Sequence, residues 1–215
     1  MRLDHLSYAA GEEGLASCVQ RLGAQLGAGF TDGGLHPRFG TRNFVLPLRG
    51  GVYLEVVEAL DHPAVERAPF GRLVKARSEA GGGWLNWVVG VSDLPAIEAR
   101  LGRPAAPGHR VRPDGYDLRW RQIGINETAN DPQLPWFIHW ESEKSEHPSA
   151  AGGVINLERM DIAGDRSTVT AFLGERATQD LEGLKVKWLS VSDNDGETGI
   201  AAAHFTTPHG VVTID

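Results

Sequence analysis

The chain repeats one order of elements, and that repetition limits its fold more tightly than any single motif. Leu3-Asp4-His5-Leu6-Ser7-Tyr8-Ala9-Ala10 reads as a strand and Glu13 to about Gln25 as a helix, followed by strands over Arg42 to Leu48 and Gly51 to Glu58. The order then returns. Trp84 to Val91 reads as a strand, Leu94 to Leu101 as a helix, and Tyr116 to Ile123 and Trp136 to Glu141 as strands. Leu15, Val19, Leu22 and Leu26 recur at helical spacing and give the first helix one apolar face to lay on a sheet. If the two copies face each other, equivalent strands bring His5, Glu55 and His139 toward one cavity.

Glycines punctuate this pattern at 27–29, 33–34, 50–51, 81–83 and 152–153. Gly50-Gly51 between two strand-like runs is a hairpin signal. The expected boundaries are a first module at 1–60, a connector at 61–82 that includes a short helix from Gly71 to Glu79, and a second module at 83–142. A polar connector runs from Ser142 to Gly153, and a third, degenerate module spans 153–215. In that last module Val154 to Ile162, Val186 to Val191, Ile200 to Thr206 and Val211 to Ile214 read as strands. Ser167 to Leu173 reads as a helix capped by Ser167 or Thr168. No candidate ligand set survives in the third copy, so it is expected to pack on the outside of the first two or against a second chain.

Charge excludes some partners. The chain carries 21 Lys and Arg against 28 Asp and Glu, a net −7, which speaks against a general nucleic-acid or membrane surface. Cys18, the single cysteine, cannot form an internal disulfide. With no apolar run of membrane-spanning length, a cytoplasmic protein is expected. Cys18 has no His or Asn near it in sequence and does not read as a nucleophile. Walker, dinucleotide-binding and paired CxxC motifs are absent from the sequence. Asp193-Asn194-Asp195-Gly196 lacks calcium-loop spacing and reads as a turn.

Three residues carry the strongest chemical signal. His5 lies between apolar neighbours in a strand. Glu55 is a carboxylate within the β-forming run Val52 to Val57, where burial is costly without a partner or a metal. His139 holds in the second copy the place that Glu55 holds in the first. Two imidazoles and one carboxylate suit a divalent transition metal with open positions, such as Zn, Fe, Mn or Ni. The bland alternatives are satisfied core histidines and a salt bridge to Glu55. Glu55 or Glu141 could share in proton transfer. His36, Arg38 and Asn43 in the first copy, and Arg112, Arg119 and Arg121 in the second, are candidate substrate-binding groups. Arg119 and Arg121 share one strand face and would grip a carboxylate or phosphate bidentately, unless that face is simply solvated.

The order of elements, with Leu3-Asp4-His5 opening the first copy and Tyr53-Leu54-Glu55 closing it, resembles the vicinal oxygen chelate superfamily, which includes glyoxalase I and the extradiol dioxygenases. More narrowly, Gly33-Gly34-x-His36-Pro37, Gly40-Thr41-x-Asn43, Arg112-Pro113-Asp114-Gly115 and Pro135-x-Phe137-Ile138-x-Trp140 look like a glyoxalase-like domain family. The resemblance implies an α+β fold of paired βαβββ modules in a curved, barrel-like mixed sheet, with the third module added. It also implies a His on the first strand and a Glu on the last strand of each module as metal ligands. His5 and Glu55 match. Trp87 stands where the second His belongs, and His139 where the second Glu belongs, so Trp87 is expected to line a more apolar pocket. The implied activity is metal-assisted chemistry of the isomerase, lyase or dioxygenase class on a small, anionic, oxygen-bearing molecule. The alternative is a metal-free binding module of the drug-resistance type. A homodimer is left open.

Overall fold

The computed structural model describes residues 1–174 and 184–215; the remainder of the third module, 175–183, lies outside the described residues. The first module consists of β1 (Arg2–Ala9), α1 (Gly14–Leu26), β2 (Thr31–His36), β3 (Thr41–Pro47) and β4 (Tyr53–Ala59). Helices α2 (Ala64–Arg67) and α3 (Pro69–Glu79) form the connector. The second module follows as β5 (Gly83–Gly90), α4 (Leu94–Leu101), β6 (Ala106–Val111), β7 (Asp117–Ile123), α5 (Ile125–Asn130) and β8 (Trp136–Trp140). Its repetition of the first module is what the sequence pattern predicts.

Local chemistry explains the helices. Leu15, Cys18, Leu22 and Leu26 of α1 are buried on one face, and the helix stops at Gly27, whose positive φ of 66° provides a left-handed cap. Asp93 caps α4 by accepting a bond from the Ala96 amide, and Gly102 ends it.

Eight strands close into a barrel in the order β1-β4-β3-β2-β6-β7-β8-β5, with antiparallel β1 and β5 completing the ring. Within each module the first strand runs parallel to the last, β1 with β4 and β5 with β8. The other seam joins β2 to β6 through the Leu35–Val111 pair. Gly34 permits that approach, because a Cβ there would run into the Val111 carbonyl. The Gly-rich run Thr31 to His36 and the Pro107-Gly108 stretch of β6 therefore pair as strands although their composition disfavours it. Neither reads as a strand from sequence.

The C-terminal segment contains β9 (Asn156–Ala163), α6 (Arg166–Leu173), β10 (Val186–Leu189), β11 (Gly199–Thr207) and β12 (Gly210–Ile214). It keeps the βαβββ order but pairs differently. Its sheet runs β10-β9-β11-β12, so β9 sits between β10 and β11 rather than beside the last strand. The cap of α6 is Asp165, whose carboxylate accepts from the Ser167 and Thr168 amides, and not Ser167 or Thr168 themselves. An apolar cluster that includes Leu22, Trp84, Trp87, Met160, Phe205 and Ile214 joins this sheet to the outside of the barrel. The Trp84 indole N–H donates to the Ile214 carbonyl at 3.1 Å across the same junction.

Candidate functional site

Strand pleating decides what the barrel encloses, since alternate residues point in and out. The interior is lined by His5 of β1, His36, Asn43, Tyr53 and Glu55 of the first module, and Arg110, Trp120, Gln122, Trp136, Ile138 and Trp140 of the second. Phe39 and Phe70, the latter from α3, close one side over Trp120. The side chains stand nearly in contact. About 20 Å³ is open to the centre of a water molecule, room for roughly one.

Glu55 sits at the centre of a polar network. The Ser7 hydroxyl donates to its Oε2 at 2.6 Å and the Asn43 amide to its Oε1 at 2.6 Å, while His5 Nε2 stands 3.9 Å from Oε2. Burial works to raise the Glu55 pKa, but the His5 and His36 rings and these two donors outweigh it, so the group stays below the ordinary carboxylate range. Arg110 continues the network, with Nη1 donating to Asn43 Oδ1 at 3.2 Å. Its Nε is buried with no partner, and no carboxylate lies within ion-pair distance of it among the described residues. Burial presses its pKa down, opposed by Tyr53 and Glu55. An arginine nevertheless remains a cation. The Trp136 indole N–H is a second buried donor without a partner.

His5 is held from both sides. Its ring stacks on Tyr53, with centroids 4.4 Å apart, and meets the edge of Trp136. Its Nδ1 bonds Asp4 Oδ1 at 2.8 Å. Asp4 is wholly buried; burial would raise its pKa, but the bonds from His147 and His5 hold it well below the usual range. A carboxylate that stays ionised accepts only, so Nδ1 carries the proton and Nε2 faces the interior. His36 bonds Thr41 Oγ1 through Nδ1, and burial pushes its pKa down to about 3, leaving it neutral at pH 7.

The structure brings together His5, Glu55, His36 and Asn43 from the sequence-derived candidates and leaves the others outside. His139 points to the outer face, where Nδ1 donates to the Val91 carbonyl at 2.9 Å. Alternation along Trp136 to Trp140 is correct, but Trp136, Ile138 and Trp140 form the inward set. A one-residue slip flips every side chain, and both faces of this strand are apolar enough to hide which is which. The same slip applies to Trp87, which packs in the outer cluster and donates to the Gln133 carbonyl. Pairing registers make Val88 the counterpart of His5 and Ile138 the counterpart of Glu55. Glu141 is exposed beyond the end of β8. Arg112 pairs with Asp114 and Glu146, Arg119 with Asp117, and Arg121 reaches the Ala105 carbonyl, all on the outside. Arg38 is exposed on a second opening.

These placements test the metal expectation. Only His5 and Glu55 of the expected set share the cavity, both Glu55 oxygens already accept short hydrogen bonds, and the opposing positions are apolar. Among the described residues no three His, Cys, Asp or Glu side chains converge as a ligand set. His36 lines the same cavity but bonds Thr41 through Nδ1 and does not group with His5 and Glu55, and two donors do not fit a divalent transition metal, which needs three or four from the protein.

Asp4, Ser7, Tyr53, Arg110, Trp120, Trp136 and Gln122 are site residues that sequence reasoning did not assign. Gly33 lies opposite Arg110, and a Cβ on Gly33 would meet both the Asn43 side chain and the Arg110 guanidinium.

Among the described residues no helix is long and apolar enough to cross a membrane. No curated protein matches the chain in sequence. Among solved structures, a hypothetical protein from Staphylococcus aureus shares 15% identity at a TM-score of 0.59, over 87% of this chain and 84% of that one. A variant of Streptomyces coelicolor methylmalonyl-CoA epimerase, in complex with 2-nitronate-propionyl-CoA, is 18% identical at a TM-score of 0.45, over 66% of this chain and 96% of that one. The Mycobacterium tuberculosis methylmalonyl-CoA epimerase is 16% identical at a TM-score of 0.43, over 66% and 87% of the two chains. Such identities speak to fold alone. The family model described as "Glyoxalase-like domain" matches residues 3–178, so the chain belongs to the glyoxalase-like domain family.

Proposed function

We propose that the barrel interior binds a small, oxygen-bearing organic anion, and that His5 exchanges a proton with it. The observation that carries this reading is Arg110, a buried guanidinium with an unpartnered Nε and no carboxylate within ion-pair distance, in the cavity that His5 faces. Burying such a charge costs several kcal/mol, and a bound carboxylate would offset that through charge-assisted hydrogen bonds of about 1.5–3 kcal/mol each. Trp136 Nε1 offers a further donor. With the anion anchored there, the Asp4-held His5 supplies a base at Nε2, the pairing of orienting carboxylate and imidazole that general base catalysis uses. Proton removal beside a carbonyl or carboxyl group is a step of isomerase and lyase chemistry. The site is narrow, so the ligand has few heavy atoms and must displace wall side chains. Ile138 and Trp140 are shared with an outer cleft of about 590 Å³, and Phe39 and Gln122 with an opening of about 360 Å³.

The metal-assisted version of this chemistry needs a third protein donor, which His139 does not provide from the outer face. A metal-free binding module is the second reading, favoured by Val88 and Ile138 at the positions of the second donor pair.

A thermal-shift screen of small hydroxy, keto and dicarboxylic acids tests the first step, with wild type stabilised and Arg110→Met not. Exchange of the bound acid's α-proton for deuterium in D₂O, followed by NMR and lost in His5→Gln, would establish proton transfer. Binding without exchange would leave the binding module as the function. No stabilisation by any acid would remove both readings.

A further inference from the structure

Asp4 connects the barrel interior to the loop that follows β8. One oxygen, Oδ1, takes the Nδ1–H of His5 at 2.8 Å. The other, Oδ2, takes the Trp140 indole N–H at 3.1 Å and His147 Nε2 at 3.2 Å, with the Arg2 guanidinium 3.6 Å away. The direction of the His147 bond is fixed from behind. The Ser149 backbone N–H donates to His147 Nδ1 at 3.2 Å, with the Ser149 hydroxyl 2.7 Å from the same nitrogen. With Nδ1 an acceptor, the N–H of His147 sits on Nε2 and points at Asp4.

The packing repeats this connection. The His147 ring lies edge-on to Tyr53, with centroids 5.6 Å apart, and Tyr53 stacks on His5. His147 also meets Trp140 at 5.1 Å. Gly90 lies alongside, where a Cβ would come within 3.1 Å of Asp4 Oδ2, so the space round the carboxylate is fully committed. His147 itself lines the outer cleft. The barrel thus has a histidine on each side of one buried carboxylate, one facing in and one facing out.

We propose that His147 is a positioning residue of the barrel site, holding Asp4 so that His5 keeps its proton on Nδ1 and presents Nε2 to the interior. The inference rests on the reading that His5 acts on a ligand in the barrel. It gives the segment after β8, which reads from sequence only as a polar connector, a direct part in the site. If Oδ2 lost its bond to His147, Asp4 would be free to turn toward Trp140 and Arg2, and its hold on His5 would slacken.

The test reads the tautomer of His5 in ligand-free protein by long-range ¹H–¹⁵N NMR of the imidazole nitrogens, assigned with His5→Gln. Wild type should show His5 protonated at Nδ1. His147→Phe keeps a ring against Tyr53 and Trp140 but has no N–H, and should lose the Nδ1–H signature in favour of a mixture. His147→Gln restores a donor toward Asp4 and should recover it, while Asp4→Asn should abolish it. A folded His147→Phe protein with an unchanged His5 spectrum would overturn the proposal, and so would a His147→Gln protein that behaves like His147→Phe. Because no ligand is present, the two readings fail separately. A tautomer that responds in a protein that binds no acid leaves the positioning intact and sinks the ligand reading, whereas acid binding with an unresponsive tautomer does the reverse.

Discussion

The two halves of the barrel share a backbone plan and differ where chemistry would be expected. His5 and Glu55 line the first half, and Val88 and Ile138 stand at the matching positions of the second. The second half instead contributes Arg110 and the indoles of Trp120 and Trp136. A repeated fold can therefore hold a one-sided site. On the proposed reading, one module supplies acid–base groups, and the other supplies an anion anchor and aromatic walls.

The largest effect should come from making the halves alike. Val88→His with Ile138→Glu in one chain adds the two donors that the second module lacks. This double variant should take up a divalent metal at least ~100-fold more tightly than wild type, measured by equilibrium dialysis and metal analysis. No gain in a folded double variant would break the equivalence of these positions.

Removing charge from the polar half should cost more than opening space in the apolar half. Glu55→Ala strips the Ser7 hydroxyl and the Asn43 amide of their buried acceptor and removes the charge that acts on Arg110 from across Asn43, and should lower stability by about 1–3 kcal/mol, measured by urea denaturation. Adding Arg110→Met to Glu55→Ala should recover part of that loss. Additive losses would show that Glu55 and Arg110 are not coupled through Asn43.

This asymmetry also marks what could be read from sequence. The order of elements, the helices and the shared cavity of His5 and Glu55 were legible, because periodicity and repetition speak directly to them, whereas His36 and Asn43 stood out by residue type alone. The second half was not. In Trp136-Phe137-Ile138-His139-Trp140 both faces are apolar, Phe137 to the outer cluster and Ile138 to the interior, so alternation alone gives no direction. Strands β2 and β6 hide behind Gly33, Gly34, Pro107 and Gly108, which close packing requires and β propensity disfavours. Arg110 is one of several arginines in the pocket region of the second copy, and only β6 as a strand singles it out as the one that faces inward. The turn at Asp193 to Gly196 needed no partner to be read, and there Asp195 has the positive φ, 51°, of a tight turn.

Acid should distinguish the halves next. Because burial depresses the His36 pKa from 6.5 to about 3, the unfolded chain binds a proton in that window and the folded chain does not. Stability should fall as pH drops from 6.5 toward 3, by at most about 1.4 kcal/mol per pH unit from this residue. Asp4 and Glu55, both depressed, add to the loss below the usual carboxylate range. His36→Phe should flatten the slope of stability between pH 6 and pH 4, roughly the upper part of that window. An unchanged slope would mean that His36 is protonated in the folded state.

His139→Ala should have the smallest effect. It deletes one hydrogen bond to the Val91 carbonyl on the outer face and should cost about 1 kcal/mol. Acid binding and metal content should not move. A change in either would return His139 to the site.

The central claim is that the polar groups of the first half, together with Arg110 of the second, bind an organic anion without the help of a metal. Titration calorimetry of the best acid from a screen into chelator-treated wild type and chelator-treated Arg110→Met tests it most directly. Wild type should bind with undiminished affinity after chelation, and Arg110→Met should bind at least about tenfold more weakly, the loss of one charge-assisted bond. Binding that vanishes on chelation, returns with added divalent metal and ignores Arg110→Met would contradict it.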